Sequence, residues 1–459
     1  MRPNAPDDHS DSGQSSVGNS GSKWTAIVAR MGFDLPRAYW IVWSGLLVNR
    51  IGAMVRTFLI VYLTQARDLS VAQAGVVLTG MGLGGLVGTQ VGGFLADRWG
   101  RRHTLALMLV SAGVFLGLLG TVRSYELLLI TAFLTGLTLD TFRPASQALM
   151  VDIVGIERRQ QAFGLNFWAV NLGFALAGVL GSALVSHGFW LLFLVDALSG
   201  VAFAAIVWFG IPADPPRART AVPEPTDRPA GLLTALRDPI IVGLAITLVI
   251  EGLVYQQSIY VYPLAMIDDG MRAADYGAIA FCNGIVIVLL QPWWTRVVDR
   301  YSPMPTMAGG MVVLGIGFFL TTWADTRLEY VLVCIVWTCG EILRAGLVGA
   351  VVANIAPASA RARYQSAVMG LGYGTAALLA PLVGTRVFST YGGNTVWALC
   401  LVLNLLGALW LVTAMQRAYQ RRMQTLAVLT DGTQAPATTR STGGDSPTPS
   451  AAPPAQTQP

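Results

Sequence analysis

"GGFLADRWGRRHTL", residues 92–105, sets Asp97, Arg98, Arg101 and Arg102 at the junction of two apolar runs, about 75–96 and 103–121. Crossing about 30 Å of hydrocarbon as a helix takes about 20 residues, so each run is long enough to span a membrane. The charges then mark a loop at the membrane surface. Ten more runs of this kind lie around it, at about 39–63, 125–149, 162–186, 188–211, 239–264, 276–295, 305–323, 328–352, 365–388 and 395–416. Only 12% of the 459 residues are charged and 54% are hydrophobic, against about 25% charged in an ordinary soluble protein. Lipid offers no partner for backbone N–H and C=O groups, so the runs must be helices that satisfy themselves. The alternating ten-residue strands of a membrane β-barrel are absent from the sequence. The chain is therefore expected to be an all-α polytopic membrane protein with twelve transmembrane helices.

A net charge of +5 could suggest a nucleic-acid partner, but the arginines sit in alternate loops. One set holds Arg98, Arg101 and Arg102; Arg158 and Arg159; Arg217, Arg219, Arg228 and Arg237; Arg296 and Arg300; Arg361 and Arg363; and Arg417, Arg421 and Arg422. The intervening loops carry about one each: Arg67, Arg123, Arg272, Arg327 and Arg386. This asymmetry is a topology signal: the rich loops face the cytoplasm, and both termini with them, in the cell inner (plasma) membrane. No nucleic-acid partner is expected. Cys282, Cys334, Cys339 and Cys400 lie within apolar spans and lack metal-site spacing. His9, His103 and His187 lie in the tail and at span ends. Neither a metal site nor an organic cofactor is expected, and no nucleophile–base pair points to an enzyme.

The chain divides at "IPADPPRARTAVPEPTDRPAG", residues 211–231, whose prolines mark an extended linker. We expect a disordered cytoplasmic tail and lead-in over 1–35, a six-helix bundle over 36–211, a cytoplasmic linker over 212–238, a second bundle over 239–418, and a mostly disordered tail over 419–459. The first tail is polar and acidic, unlike a cleaved signal peptide. Displacing the sequence by about 201 residues aligns features of like kind. Asp140-Thr-Phe-Arg143 falls on Glu341-Ile-Leu-Arg344, and "LAGVLGS" (176–182) on "LAPLVGT" (379–385). Two pseudo-symmetric six-helix bundles follow, an arrangement in which a substrate site lies near the midplane between the halves.

The opening stretch resembles the signature between the second and third helices of the major facilitator superfamily, approximately Gly-x-x-x-Asp-Arg-x-Gly-Arg-Arg/Lys. It matches at Gly93, Asp97, Arg98, Gly100, Arg101 and Arg102. The motif also follows the second span and lies on the arginine-rich side, the context it requires. With the spans and linker, the resemblance covers about residues 36–420. Gly93 is expected to permit close helix approach and Gly100 a tight turn. Asp97 ends its helix, where the macrodipole disfavours an anion. The resemblance implies that Asp97 contacts the opposite half near the start of helix eleven, stabilising the outward-facing arrangement. It also implies that a signature arginine pairs with an acid ending helix four, a role for which Asp152 is placed. Otherwise Arg101 and Arg102 serve only as topology determinants facing lipid phosphates.

Within the superfamily, "FRPASQALMVDIVGIERRQQAFGLNFWAVNLGFALAGVLGS" is similar to the helix-four to helix-five region of bacterial proton-coupled multidrug and small-molecule exporters. Two departures stand out: Ala132 replaces a common helix-four arginine, and Ala177-Gly178 replaces the helix-five Gly-Pro. Gly173, Ala177 and Gly181 still form a small-residue ladder suited to close packing.

"LTLDTFRPAS", residues 137–146, carries charge inside a span. Arg50, Arg56, Asp140, Arg143, Glu251, Glu341 and Arg344 all fall on spans one, four, seven and ten, which line the central cavity in this superfamily. A charge at the bilayer centre costs at least about 2.5–3.5 kcal/mol, so these groups should face a cavity or each other. Residues three apart share a helix face, so Asp140 can meet Arg143 and Glu341 can meet Arg344. Glu251 has no opposite charge three or four residues away. Since desolvation favours the protonated carboxyl, it is the first candidate proton carrier, with Asp140 and Glu341 next. Asp196 in span six is expected to be a structural polar contact. Pro144 follows Arg143 and is expected to kink its helix. Trp43, Asn49, Tyr255, Gln256, Tyr260 and Trp337 are candidates for lining a cavity for an amphipathic organic molecule, and Tyr262 is read as an interfacial anchor.

The sequence thus points to a monomeric secondary transporter working by alternating access. Its partners would be a small organic substrate, protons as coupling ion, and the lipid bilayer. Proton-coupled export of a drug-like or natural-product molecule is the first reading. Uptake of a small metabolite by symport, a channel or a non-transporting receptor are the alternatives.

Overall fold

The computed structural model describes residues 35–212, 237–356 and 361–434; the expected irregular segments over 1–34, most of the linker and 435–459 lie outside them. Among the described residues there are twelve helices long and apolar enough to cross a membrane, and no strand. Spans 1 to 6 are Arg37–Gln65, Val71–Ala96, Arg101–Thr121, Tyr125–Gly155, Gln161–Val185 and Trp190–Gly210. Spans 7 to 12 are Pro239–Tyr260, Ala273–Val297, Pro303–Trp323, Arg327–Ile355, Tyr364–Tyr391 and Gly393–Leu426. The last helical segment, Gln416–Gln434, carries helix well past residue 419, where an irregular tail was expected.

Local chemistry sets the ends. Ser70 and Gln73 form a capping box that starts span 2, and Thr326 with Glu329 does the same for span 10. Asp238 caps span 7 through the Ile240 N–H and pairs at 2.8 Å with Arg422 of the last helix. Gly100, at φ 89°, makes the turn between spans 2 and 3, a conformation that costs any other residue more. A second left-handed glycine, Gly155 at φ 78°, separates span 4 from span 5.

The apolar core is divided unevenly along the membrane normal. At the arginine-poor end one cluster draws on both halves, joining Phe58, Leu78, Leu119 and Phe193 to Tyr262, Tyr276, Phe318 and Trp397. Phe58 and Tyr276 meet edge to face across the halves at 5.9 Å. At the arginine-rich end two further clusters each use a single half. One contains Tyr39, Leu105, Leu149 and Phe203, and the other Ile241, Met307, Val351 and Leu411. The apolar core thus joins the halves at the arginine-poor end, whereas at the other end each cluster among the described residues stays within one half.

Spans 5 and 8 approach so closely that a Cβ on Gly277 would lie 2.2 Å from the Gly178 carbonyl oxygen, and one on Gly75 of span 2 would meet Thr385 of span 11. Gly173 and Gly181 of the small-residue ladder instead pack against Arg50 and Phe58 of span 1. Gly93, expected to permit close approach, has open space around it; neighbouring Gly92 faces the Thr141 carbonyl and Pro144. Pro144 lies inside span 4 with helical dihedral angles, and the non-helical residue of this stretch is Gly155.

Two spans are broken where the charges lie. Span 1 is Arg37–Gly52 followed by Val55–Gln65, so Arg50 and Arg56 flank the break. The break frees backbone donors in a setting without water, and buried Asp196 accepts the Val55 N–H at 3.1 Å, which accounts for an acid in span 6. Span 10 stops at Arg344 and resumes at Leu347 beyond Gly346, φ 81°. Arg344 therefore ends a helix, where its dipole favours a cation.

Candidate functional site

Spans 1 and 4 bring together Arg50, Arg56, Asp140 and Arg143. Arg56 Nη2 donates to Asp140 Oδ2 at 3.2 Å, and Arg143 Nε lies 3.1 Å from Asp140 Oδ1. The Arg56 and Arg143 side chains are 41% and 43% exposed while Asp140 is only 12% exposed, so the arginines are the accessible members of the cluster and the carboxylate is the covered one. Arg50 is close enough to feel Arg143, Arg56, Asp140 and Asp196 electrostatically. Its side chain nevertheless makes no hydrogen bond or ion pair among the described residues, and its Nε is buried without a partner. Tyr260 of span 7 lies within electrostatic reach of Arg56 and Asp140, which places the cluster where the halves meet.

The C-terminal half pairs its charges differently from expectation. Glu341 does not meet Arg344. Arg344 instead forms an ion pair with Glu251 of span 7, the two side chains being 7% and 1% exposed. Tyr373 donates to Glu251 Oε1 at 2.7 Å, and Arg344 lies 5.8 Å above the Tyr255 ring. The i,i+3 expectation fails because the helix ends at Arg344, which lets the guanidinium turn across to span 7. Glu341 accepts from Asn283 Nδ2 at 3.0 Å and lies within hydrogen-bond reach of Tyr255. Among the described residues no cation reaches it. The carboxyl without a counter-charge is therefore Glu341, and Glu251, the first candidate from sequence, has one.

Asn283 and Tyr373 were missed in the sequence. Asn283 is a lone amide in an apolar run; Tyr373 sits in "GLGYG", Gly370–Gly374, which forms a π-helical turn. Glycines at every second position inside a span were the signal available, since such turns cluster at functional sites.

The aromatic candidates divide. Tyr255 and Tyr260 join the charged groups, and Gln256 lies half-buried at the break of span 7. Trp43 donates to the Leu165 carbonyl at 3.0 Å, and Asn49 is buried near Gly200, so both pack within the first half. Trp337 is buried in a stack with Phe318, 5.5 Å between centroids. Tyr262 is no interfacial anchor: it is fully buried, donates to the Tyr330 carbonyl at 2.9 Å and stands edge-on to Trp397. Its short helix turns inward at the arginine-poor end, which periodicity alone does not reveal.

The sequence profile described as Major Facilitator Superfamily matches residues 42–369, and again 244–425. The chain belongs to the Major Facilitator Superfamily. It is a multi-pass membrane transporter, and transporters of this superfamily carry small molecules. It is similar to the uncharacterized MFS-type transporter YqjV of Bacillus subtilis, 25% identical over 79% of this chain and 88% of that protein. It is also similar to the enterobactin exporter EntS of Citrobacter koseri, 30% identical over 45% of this chain and 50% of that one. A crystal structure of the nucleoside transporter NupG superposes with a TM-score of 0.68 at 14% identity, covering 84% of this chain and 99% of the other, a likeness of fold.

The superfamily signature can be followed in part. Arg101 pairs with Asp152 at the end of span 4 and donates to the Ala148 carbonyl. Arg102 donates to the Trp208 carbonyl and lies 4.7 Å above that indole ring, so it braces span 3 against span 6. Arg98 is exposed. The Asp97 side chain, and the turn before span 11 that it would contact, lie outside the described residues.

Proposed function

We propose that this transporter is a proton-coupled exporter of amphiphilic organic molecules, acting as a monomer in the plasma membrane with both termini in the cytoplasm. The halves, 36–211 and 239–418, rock about the cavity between them, and the linker, 212–238, joins them on the cytoplasmic side. The observation that carries the reading is the placement of charge. Arg56 and Arg143 stand partly exposed on spans 1 and 4, and Glu341 on span 10 has only neutral partners. A carboxyl held in a low-dielectric site by an amide and a phenol can exist charged or neutral without unpairing a cation, as a proton carrier must. Glu341 is therefore preferred for coupling, ahead of Glu251 and Asp140, each of which is already paired with an arginine. Apolar cores that stay separate at the arginine-rich end, and shared at the other, support loading from the cytoplasm. Likeness to an enterobactin exporter supports the outward direction and an organic cargo. No bond-making step is ascribed to the site.

The test is flux in proteoliposomes over a panel of amphiphilic compounds, with a pH gradient imposed, reversed or collapsed. Saturable flux that reverses with the gradient is expected. Flux indifferent to the gradient for every transported compound would remove the coupling, and unsaturable conductance would make the protein a channel.

A further inference from the structure

Three guanidinium groups, those of Arg50, Arg56 and Arg143, share one carboxylate, Asp140. Asp196 is the other acid within electrostatic reach, and it is buried in span 6 with its carboxylate committed to the Val55 N–H. The cluster thus carries a cationic surplus, three arginines against Asp140 and the committed Asp196. Arg50 has no ion-pair partner among the described residues and a buried Nε that donates to nothing. A guanidinium inside a membrane costs at least about 2.5–3.5 kcal/mol on insertion scales, and Arg50 offsets that cost only through the more distant carboxylates of Asp140 and Asp196, with no direct ion pair among the described residues. The other half has removed the surplus. At an offset of 201 residues, Glu251 stands where the first half has Arg50, Gln257 where it has Arg56, and Arg344 where it has Arg143. There a single arginine meets a single glutamate and both are buried, while Glu341 faces Asn283 and Tyr255.

We infer that the cavity binds an organic carboxylate, whose acid group lies between Arg50 and the exposed guanidinium groups of Arg56 and Arg143. Planar guanidinium matches a carboxylate with two parallel N–H donors, a fit that an ester or an ammonium group cannot reproduce. Asp140 fills part of this role while the site is empty, keeping Arg56 and Arg143 in place, and leaves Arg50 for the ligand. The apolar body of the ligand then rests toward Tyr255 and Tyr260 of the opposite half. This inference rests on the transport reading above and names the chemical class of its cargo.

The experiment reads binding alone, without vesicles or gradients. Purified protein in detergent is titrated by thermal shift with a graded series of aliphatic and aromatic carboxylates, each beside its methyl ester and its primary amine. Carboxylates are expected to bind about tenfold or more tightly than their esters, with amines weakest, a preference of the size charge-assisted hydrogen bonds give. Arg50→Gln should erase the preference while leaving ester binding in place, and Arg50→Lys, which keeps the charge, should retain part of it and controls for folding. Equal binding of acids and esters, a preference for amines, or no stabilisation by any carboxylate would overturn the inference. Carboxylate binding without gradient-driven flux would instead overturn proton coupling alone. Gradient-driven flux confined to neutral or cationic compounds would overturn the inference and leave coupling intact.

Discussion

Two acid-x-x-Arg segments, one in each half, do opposite things with the same residues. In span 4, Asp140 and Arg143 meet along an unbroken helix, and Arg56 joins them from span 1. In span 10 the helix breaks after Arg344, which crosses to Glu251, and Glu341 is left with neutral partners. The halves also differ at equivalent positions of spans 1 and 7, arginine at 50 and glutamate at 251, so the redirected Arg344 finds an acid on span 7. One half therefore keeps partly exposed cationic groups, and the other keeps a buried ion pair plus a carboxyl that no cation reaches among the described residues. Under the proposed function, the doubled fold carries substrate charge in one copy and proton exchange in the other.

The contrast can be broken most severely at the buried pair. Arg344→Leu takes the counter-charge from a buried Glu251 and should cost about 3–5 kcal/mol of stability. Thermal unfolding in detergent would show it as a large drop. Glu251→Leu with Arg344→Leu should recover most of the loss, because two apolar residues replace a pair that gains little net energy from burial.

The matching change in the first half should be milder. Asp140→Asn takes the carboxylate from Arg56 and Arg143, whose exposed heads retain solvent, so a loss of about 1–2 kcal/mol is expected. The sign for ligand is opposite: with the internal competitor gone, carboxylate titrations should show tighter binding. Weaker binding would mean that Asp140 belongs to the ligand site itself. The smallest effect belongs to the surface pair. Arg101→Gln removes a partner from Asp152, which is nearly half-exposed, and a donor from the Ala148 carbonyl, and should change stability by about 1 kcal/mol.

Much of this was legible in the sequence. The spans follow from apolar length, the two halves from the offset repeat, and the charged cavity from seven ionisable residues confined to spans 1, 4, 7 and 10. The partners were less legible. Spacing of three predicts Glu341 with Arg344 only for a continuous helix, and the Gly346 break redirects the arginine. Trp337 and Tyr262 share composition with cavity and interface aromatics, yet both are core, because which face of a helix is covered depends on the packing of the opposite half. Gly93 lies beside the glycine that makes the close contact, a difference of one residue that a motif cannot resolve. Asp196 became intelligible once the break in span 1 exposed the N–H it accepts.

The division of labour is tested most directly by comparing Arg50→Gln and Glu341→Gln in the same vesicles, measuring exchange of a labelled carboxylate without a gradient and accumulation with one. Arg50→Gln is expected to lose both activities, since it impairs binding. Glu341→Gln is expected to keep exchange and lose accumulation. Exchange at the wild-type half-saturation in Arg50→Gln, or gradient-driven accumulation surviving in Glu341→Gln, would contradict it.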